Sequence, residues 1–346
     1  MDSVHGFLTP LVDLSVAAKI ILTLAILFLF TNLKSLPFVW HVRCFNGVIK
    51  HLYCSPHNWE KDSRGSAALF QPLITSTYTP FMECDFNGHK SSSTYFTDID
   101  VSRLHLVACL FNKGIKTLQS KPIIDPRGNQ VNGQFSFVLG GVECTYRREI
   151  KPLEKYEIWT RVLAWDRKWL YIVSHFVKKG AIKPAGYTLS DGNWLGTASQ
   201  NKSNAIQKTW ERKDPITSGK EMPQQSGTTN ENPAPIINKA IYASAISKYV
   251  FKKGRLTLHP EICLEASGLL PARPGGWATI SGPAPAAQVS EVDFVGDDAT
   301  WSWQKVEEEN MAGLRLAENF AALDGLSEVF TGSDRQALGV YSDLII

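Results

Sequence analysis

The chain lacks the residue patterns of metal-binding, disulfide-stabilised and nucleic-acid-binding proteins. Its six cysteines are scattered over 346 residues and none forms a Cys-x-x-Cys pair, so a zinc site is not expected. Scattered cysteines in a chain this long suit a reducing compartment. The 36 lysines and arginines nearly balance 33 aspartates and glutamates, and no run of them makes a basic patch. We therefore expect no metal site, no cofactor and no nucleic-acid partner.

One long apolar run lies at the N-terminus. From Val16 to Phe30 only Lys19 and Thr23 interrupt the apolar residues. Extended to Leu11–Leu33, the run reaches the length of about 20 residues that spans a bilayer. Lys34, Arg43 and Lys50 follow it, and this charge bias predicts that the bulk of the protein lies on the cytoplasmic side. We expect residues 1–35 to form a single-pass membrane anchor, with a cleaved signal peptide or a buried helix as the alternatives.

The sequence after the anchor predicts one long helix followed by strands. Apolar residues recur with helical spacing over residues 92–112, and Gly114 is placed to end that helix. The segments that follow are rich in aromatic and β-branched residues. The predicted strands are 134–140, 142–150, 156–165, 169–178 and 241–251. This order indicates an α+β protein with a hotdog fold, in which an antiparallel sheet wraps around one long helix.

The predicted domain organisation follows from composition. Residues 66–265 form the hotdog domain, with a flexible insertion at about 182–236 between late strands. Within it, Thr217–Pro235 is dominated by Ser, Gly, Gln, Thr, Asn and Pro, which cannot bury enough apolar surface to become ordered. Residues 266–346 form an irregular segment and an amphipathic C-terminal helix at 301–326. At 44% hydrophobic and 20% charged residues, the chain has an ordinary globular composition.

The residues that can carry chemistry gather just before the long helix. Asp85-Phe86-Asn87-Gly88 is a turn-forming tetrapeptide that leads into His89, and Gly88 allows a backbone conformation closed to other residues. The first amides of a helix lack internal partners and carry partial positive charge. They would stabilise the oxyanion of a thioester by about 3–4 kcal/mol for one good donor. Asp85 could attack the carbonyl or activate water, and His89 could orient the turn.

Structural roles account for several of the same residues. Asp, Asn and Gly are common in any loop before a helix, and Asp85 could simply cap backbone amides. Asp100, about two turns along the helix, is a second carboxylate candidate, whereas we expect Asp98 on a solvated helix face. On an apolar strand, His175 is expected to be a hydrogen-bonded core histidine. His105 has no ligand partner at a useful spacing.

The motif resembles a known family. Asp85-x-x-Gly88-His89, followed by Tyr95 and Arg103, resembles the Asp-x-x-Gly-His-x-Asn-Asn-x-x-Tyr…Arg signature of hotdog thioesterases of the 4-hydroxybenzoyl-CoA thioesterase type. The block at 146–171 is similar to thioesterase-superfamily-member-six proteins, which also begin with a hydrophobic segment. The whole layout resembles fungal thioesterase-like proteins of polyketide and lipopeptide clusters. The chain departs from the signature where two serines replace the asparagine pair.

The resemblance implies an enzyme that hydrolyses an acyl-CoA or acyl-carrier-protein thioester and releases a polyketide or fatty acyl chain. It assigns the catalytic carboxylate to Asp85. The supporting or substrate-positioning residues would be Asn87, Gly88, His89, Tyr95 and Asp100. Implied partners are the thioester substrate, a polyketide synthase, the membrane reached through the N-terminal helix, and a second copy of the chain in a homodimer or larger oligomer.

Two other functions stay open. Hotdog hydratases and dehydratases use Asp-x-Asn-Pro-x-His, with five residues from Asp to His. Here His89 follows Asp85 by four residues and Gly88 replaces the proline, so the register does not match. A non-catalytic, membrane-associated acyl-binding protein is the third function, because Ser91-Ser92 departs from the family signature.

Overall fold

One antiparallel sheet and one long helix organise the part of the chain that the computed structural model describes, residues 15–62, 64–124, 127–189, 239–279 and 301–329. Contacts divide the chain into two units, residues 1–182 with 240–346 and residues 183–239, and the elements below lie in the first. The described helices are α1 (Val16–Thr31), α2 (Val39–Ile49), α3 (Gly65–Ala68), α4 (Ser92–Leu110), α5 (Asn112–Ser120), α6 (Pro260–Ala266) and α7 (Trp303–Ala321). The described strands are β1 (Leu73–Tyr78), β2 (Ile123–Ile124), β3 (Gln130–Val131), β4 (Phe135–Tyr146), β5 (Lys155–Trp165), β6 (Leu170–Lys178), β7 (Ile241–Lys253) and β8 (Leu256–Leu258).

The main sheet has the strand order β1-β5-β6-β7-β4, and every neighbouring pair is antiparallel. β8 pairs with the end of β7, while β2 and β3 form a separate hairpin. α4 follows β1 along the chain and packs on the sheet, where its Tyr95 and Ile99 share an apolar cluster with Ile158 and Phe176. An antiparallel sheet in this order over one long helix is the predicted hotdog fold, and the helix predicted at 92–112 is α4.

The two faces of the sheet carry different elements. The hydroxyl of Thr160 in β5 hydrogen-bonds both to Ser102 of α4 and to Ser174 of the neighbouring β6, so this face holds the long helix. Side chains alternate along a strand, so Tyr171 points to the opposite face. There it packs with Ala317 and other residues of α7. The predicted C-terminal helix is therefore present, and it covers the face of the sheet away from α4.

The N-terminal segment packs on α4 as well. α2 packs against α4, and Gly47 lies so close to His105 that an added Cβ would be 2.8 Å from its ring. His51, in the π-helical turn that continues α2, places its Nε2 3.3 Å from His105 Nδ1. Burial of both imidazoles lowers the pKa of each to about 4. α4 is thus covered by the sheet on one side and by α2 on another.

The predicted membrane span is not found. α1 has 16 residues, which at 1.5 Å per residue extend about 24 Å, whereas a bilayer core measures about 30 Å. The chain leaves the helix at Asn32, and Lys34 lies buried in the hotdog domain. Within the ranges described above, no helix combines the length and apolar character needed to cross a membrane. The buried-helix alternative is wrong too, because no residue of α1 is buried.

The sequence predicts two strands where the structure has one. The strands predicted at 134–140 and 142–150, with a Gly-Gly turn between them, are the single strand β4, which has a bulge between Leu139 and Gly141. Gly140 is required here, because an added Cβ would lie 2.2 Å from the ring of Trp169. The two glycines admit a bulky neighbour and a register shift instead of reversing the chain. The polar stretch predicted as an insertion, 217–235, lies outside the described residues and stays a prediction.

Candidate active site

Residues Asp85 to His89 form a closed turn immediately before α4. The backbone amide of Asp85 donates to the carbonyl of His89 at 2.9 Å, and the amide of Gly88 donates to the carbonyl of Asp85 at 3.0 Å. Gly88 has a φ of 74°, in the left-handed region that residues with a Cβ rarely adopt. A single antiparallel bridge between Cys84 and Lys90 closes the base of the turn. The sequence therefore fixes the turn through the glycine and the short bridge.

The turn holds the carboxylate of Asp85 in a defined position at the protein surface. Its Oδ1 accepts a hydrogen bond from the backbone amide of Asn87 at 2.9 Å. His89 Nδ1 lies 3.6 Å from the same oxygen, just beyond hydrogen-bonding distance. The side chains of Asp85 and His89 are 24% and 32% exposed, so a substrate can reach both. The structure thus brings four of the predicted site residues together in one turn: Asp85, Asn87, Gly88 and His89. The contribution of Asn87 is its backbone amide.

The start of α4 is not capped by a side chain. Ser91 is the N-cap residue, yet it makes no side-chain hydrogen bond to the first turn, and its Oγ lies 3.2 Å from Ser93 Oγ. The N-cap residues of α1, α6 and α7 do accept such bonds from first-turn amides. Amides at a helix start that lack a capping side chain are suited to bind an oxyanion.

Tyr95 lies beneath the helix start instead of in the turn. It is buried, and its ring packs against Phe176 at 4.8 Å and Tyr146 at 5.0 Å between centroids. Lys90 Nζ lies 5.3 Å from the centre of the Tyr95 ring. Burial raises the pKa of the Tyr95 hydroxyl well above its usual range. Tyr95 therefore belongs to the packed core below the turn and supports the turn from there. Tyr146 is half exposed and donates to the carbonyl of Ser92 at 3.3 Å.

The structure does not bring Asp100 to the turn. It lies eight residues after Ser92, which corresponds to about 12 Å along the helix axis. Its carboxylate forms an ion pair with the guanidinium of Arg103. Arg103 is itself buried and donates to Ser247 Oγ of β7 at 2.6 Å. Asp100 thus belongs to a contact between helix and sheet.

The base of the turn lies on a group of buried charged residues that sequence reasoning missed. We call it the charge cluster, and its members are Lys34, Arg43, Glu83, Lys90, Asp98 and Tyr156. It joins the segment after α1, α2, both ends of the turn, α4 and β5. It contains three cations and two carboxylates, and Lys34, Lys90 and both carboxylates are almost fully buried.

Asp98 is the centre of the charge cluster, so its predicted place on a solvated face is wrong. It is completely buried, accepts hydrogen bonds from Lys34 at 2.9 Å and from Arg43 at 2.8 Å, and forms an ion pair with Lys90 at 2.9 Å. Burial opposes ionisation, but the three cations together hold the pKa of Asp98 below its usual range. Asp98 follows Tyr95 by three residues and precedes Ser102 by four. This spacing on the buried stripe of α4 is the signal that could have revealed it.

Glu83 links the cluster to the turn. Its Oε2 accepts from Lys34 Nζ at 2.9 Å and from Lys90 Nζ at 2.6 Å. Its backbone carbonyl accepts from the amide of Ser91, the N-cap of α4, at 2.8 Å. The residues just before and just after the turn are therefore fastened to each other and to the helix.

The remaining histidine and metal predictions concern residues away from the turn. His175 Nδ1 lies 2.9 Å from Ser244 Oγ, so it is the hydrogen-bonded histidine that was predicted. Within the described part of the chain, no group of three or more His, Cys, Asp or Glu residues is arranged to hold a metal ion.

Comparison with known proteins gives the family. The family model described as the thioesterase-like superfamily matches residues 79–203, which include the turn and the start of α4. The probable thioesterase atnL of Emericella nidulans is 32% identical over 99% of this chain and 98% of its own length. Thioesterase poxG of Penicillium oxalicum is 34% identical over 89% of this chain and 86% of its own length. The probable thioesterase YBR096W of Saccharomyces cerevisiae is 32% identical over 48% of this chain and 71% of its own length.

These similarities confirm the predicted family and the predicted thioesterase class of enzyme. They extend well beyond the matched domain, since atnL aligns over almost the entire chain. The chain belongs to the thioesterase-like superfamily.

Proposed function

We propose that the chain hydrolyses acyl thioesters at the turn before α4, with Asp85 as the catalytic carboxylate. The observation that carries this proposal is the position of Asp85, which the Asn87 amide holds next to a helix start that Ser91 does not cap. The thioester carbonyl would accept hydrogen bonds from the first-turn amides. One well-placed donor of this kind is worth about 3–4 kcal/mol in the transition state.

The reaction consumes one water molecule. Asp85 either removes a proton from the water as it attacks the carbonyl carbon, or attacks that carbon itself to form an anhydride that water then opens. In both routes the carbon–sulfur bond breaks, the thiol leaves with a proton and a carboxylic acid is formed. The resemblance gives His89 a supporting role, so we propose that it orients the turn instead of acting as the base; its ring nitrogen lies 3.6 Å from the carboxylate of Asp85.

The substrate class is proposed as acyl-CoA or acyl-carrier-protein thioesters, with a polyketide synthase as one source of the carrier-bound chain. Support comes from the resemblance to fungal biosynthetic thioesterases and from relatives that are named thioesterases. The test is turnover by the full-length protein of a panel of acyl-CoA and carrier-protein thioesters. Hydrolysis that Asp85→Asn abolishes, with an unchanged fold, supports the proposal. Undiminished turnover in that variant would contradict the proposal.

The same panel separates the two alternatives. Addition of water to an enoyl thioester, without release of thiol, would indicate a hotdog hydratase. Tight binding of long-chain acyl thioesters with no turnover would indicate an acyl-binding protein.

We also propose that the N-terminal segment associates with a membrane and that the hotdog domain lies on its cytoplasmic side. Support comes from apolar side chains exposed all round α1, namely Ile20, Ile21, Leu24, Leu27, Phe28 and Phe30. Carbonate extraction of cells that express the wild type or a variant with Ile21, Leu24 and Phe28 replaced by Gln would test it. Equal extraction of both proteins would contradict the proposal.

A homodimer is proposed through the edge strand β4. This strand has 12 residues and ends the strand order of the main sheet. Its Val138 and Leu139 are each 42% exposed. Long apolar edge strands are usually covered, and pairing with a second copy is one way to do so. Light scattering of the wild type and of Val138→Lys should show a dimer that the substitution weakens. A monomer in both cases would contradict the proposal.

A further inference from the structure

We propose that Asn32 and Lys34 are positioning residues for the Asp85 turn. They lie between α1 and α2, outside residues 79–203 that match the thioesterase-like superfamily. This proposal rests on the proposed function of Asp85.

Asn32 joins the end of α1 to the chain just before the turn. Its side chain is completely buried. Its Oδ1 accepts from the backbone amide of Met82 at 2.7 Å, and its Nδ2 donates to the carbonyl of Phe28 at 2.8 Å. Met82 lies in the 3-10 turn Phe81–Glu83, three residues before Asp85, where the catalytic turn begins. One side chain therefore holds both the helix end and the entry to the turn.

Lys34 holds the same entry from the other side. Its Nζ donates to the carbonyl of Tyr78 at 3.0 Å, to Glu83 at 2.9 Å and to Asp98 at 2.9 Å. These acceptors belong to the end of β1, the entry to the turn and α4. The ammonium group is therefore the point at which these three elements are joined.

The exit of the turn depends on the same acceptors. Lys90 Nζ lies 2.6 Å from Glu83 and 2.9 Å from Asp98, the two carboxylates that Lys34 also binds. Without Lys34, each carboxylate loses a donor in a buried site: Glu83 then depends on Lys90, while Asp98 keeps Arg43, Lys90 and Tyr156. A change in the position of Glu83 or Lys90 moves the turn between them relative to the start of α4. Displacements of about 1 Å in a catalytic group can reduce turnover on the order of 100-fold.

A matched control is available in Lys253. It is also a buried lysine, and it donates to the carbonyls of Leu118 at 2.8 Å and Gln119 at 3.0 Å in α5, which are not members of the charge cluster. Lys253→Met removes a buried ammonium group from β7 and tests the general effect of such a loss. Lys34→Arg keeps the charge and the donors and serves as the conservative variant.

The experiment uses the full-length protein with Lys34→Met, Lys34→Arg, Asn32→Ala and Lys253→Met. Two quantities are measured: kcat and KM for an acyl-CoA thioester that the wild type hydrolyses, and hydrogen exchange of the amides of residues 84–91. We expect Lys34→Met and Asn32→Ala to lower kcat by about 10-fold to 100-fold with little change in KM, and to speed exchange in the turn. Lys34→Arg should recover part of both effects, and Lys253→Met should change neither.

The inference is overturned if Lys34→Met and Asn32→Ala leave both kcat and turn exchange at the wild-type values, or if Lys253→Met changes them equally. Should Lys34→Met fail to fold, Asn32→Ala decides, because it leaves the charge cluster intact. If the wild type hydrolyses no thioester, the proposed function fails, yet the exchange measurement still tests the positioning of the turn.

Discussion

The charge cluster predicts an unusually large effect of one conservative substitution, Asp98→Asn. Asp98 is completely buried and is within 2.9 Å of three cationic groups. Loss of its charge leaves these cations facing a neutral amide in a buried site. Breaking a buried ion pair in this way typically costs about 3–5 kcal/mol, a large share of the roughly 5–15 kcal/mol that stabilises a domain.

Urea unfolding of full-length wild type and Asp98→Asn measures this cost as a difference in the free energy of unfolding. Glu308→Gln is the control, because Glu308 and its partner Lys305 are 71% and 49% exposed, and pairs with such exposure contribute about 0–1 kcal/mol. A difference below about 1 kcal/mol for Asp98→Asn would refute the account of a buried, mutually dependent cluster.

The same reasoning gives a pH dependence. The cluster holds the pKa of Asp98 below its usual range in the folded state, while the unfolded value is about 3.9. The stability from its charge is therefore fully present above about pH 4 and is lost as pH falls below it toward the folded-state pKa. The difference in unfolding free energy between wild type and Asp98→Asn should shrink as the pH is lowered below about 4. A constant difference down to about pH 2 would contradict this sign.

Three further predictions concern single positions. Gly88→Ala should lower the free energy of unfolding by about 1–2 kcal/mol, because φ is 74° and the space for a Cβ is open, and it should also lower kcat. Gly128 is the control, because it has a φ of 84° in equally open space. Gly128→Ala should lower stability by the same amount without affecting kcat. His89→Gln should reduce kcat by no more than about 10-fold, since an orienting residue contributes less than the 100-fold or more of a general base. A larger loss of kcat, together with an altered pH–rate profile, would identify His89 as the base. Gly313→Ala should lower the free energy of unfolding by about 1–3 kcal/mol, because the added Cβ would lie 2.1 Å from the carbonyl oxygen of Leu163 and disturb the packing of α7. An unchanged urea midpoint would refute that close approach.

Much of the fold follows from local patterns. The helical spacing that predicts α4 and the alternation that predicts β5 and β6 are properties of short windows, so they survive without knowledge of the partners. The turn at Asp85 to His89 is equally local, because Gly88 and the residues around it contain the information for its shape. These features allowed the hotdog fold and its candidate carboxylate to be predicted.

The features that were missed depend on residues distant in sequence. Lys34 was interpreted as part of the basic flank of an anchor, but its partners Glu83 and Asp98 lie 49 and 64 residues away. Hydropathy correctly identifies the apolar run before Lys34, but it cannot show that α1 ends and the chain turns at Asn32. Gly140-Gly141 predicts a turn in isolation, whereas the ring of Trp169 and the pairing with β7 make it a bulge.

Single-turnover hydrolysis by Asp85→Asn tests the central claim most directly. Full-length wild type, Asp85→Asn and Asp100→Asn are each mixed in excess with an acyl thioester that the wild type binds, and thiol release and binding are followed separately. The account predicts that Asp85→Asn binds the thioester but releases thiol on the order of 10²–10⁴-fold more slowly, while Asp100→Asn stays close to the wild type. Wild-type rates in Asp85→Asn, or an equal loss in Asp100→Asn, would contradict the assignment of the catalytic carboxylate to the turn before α4.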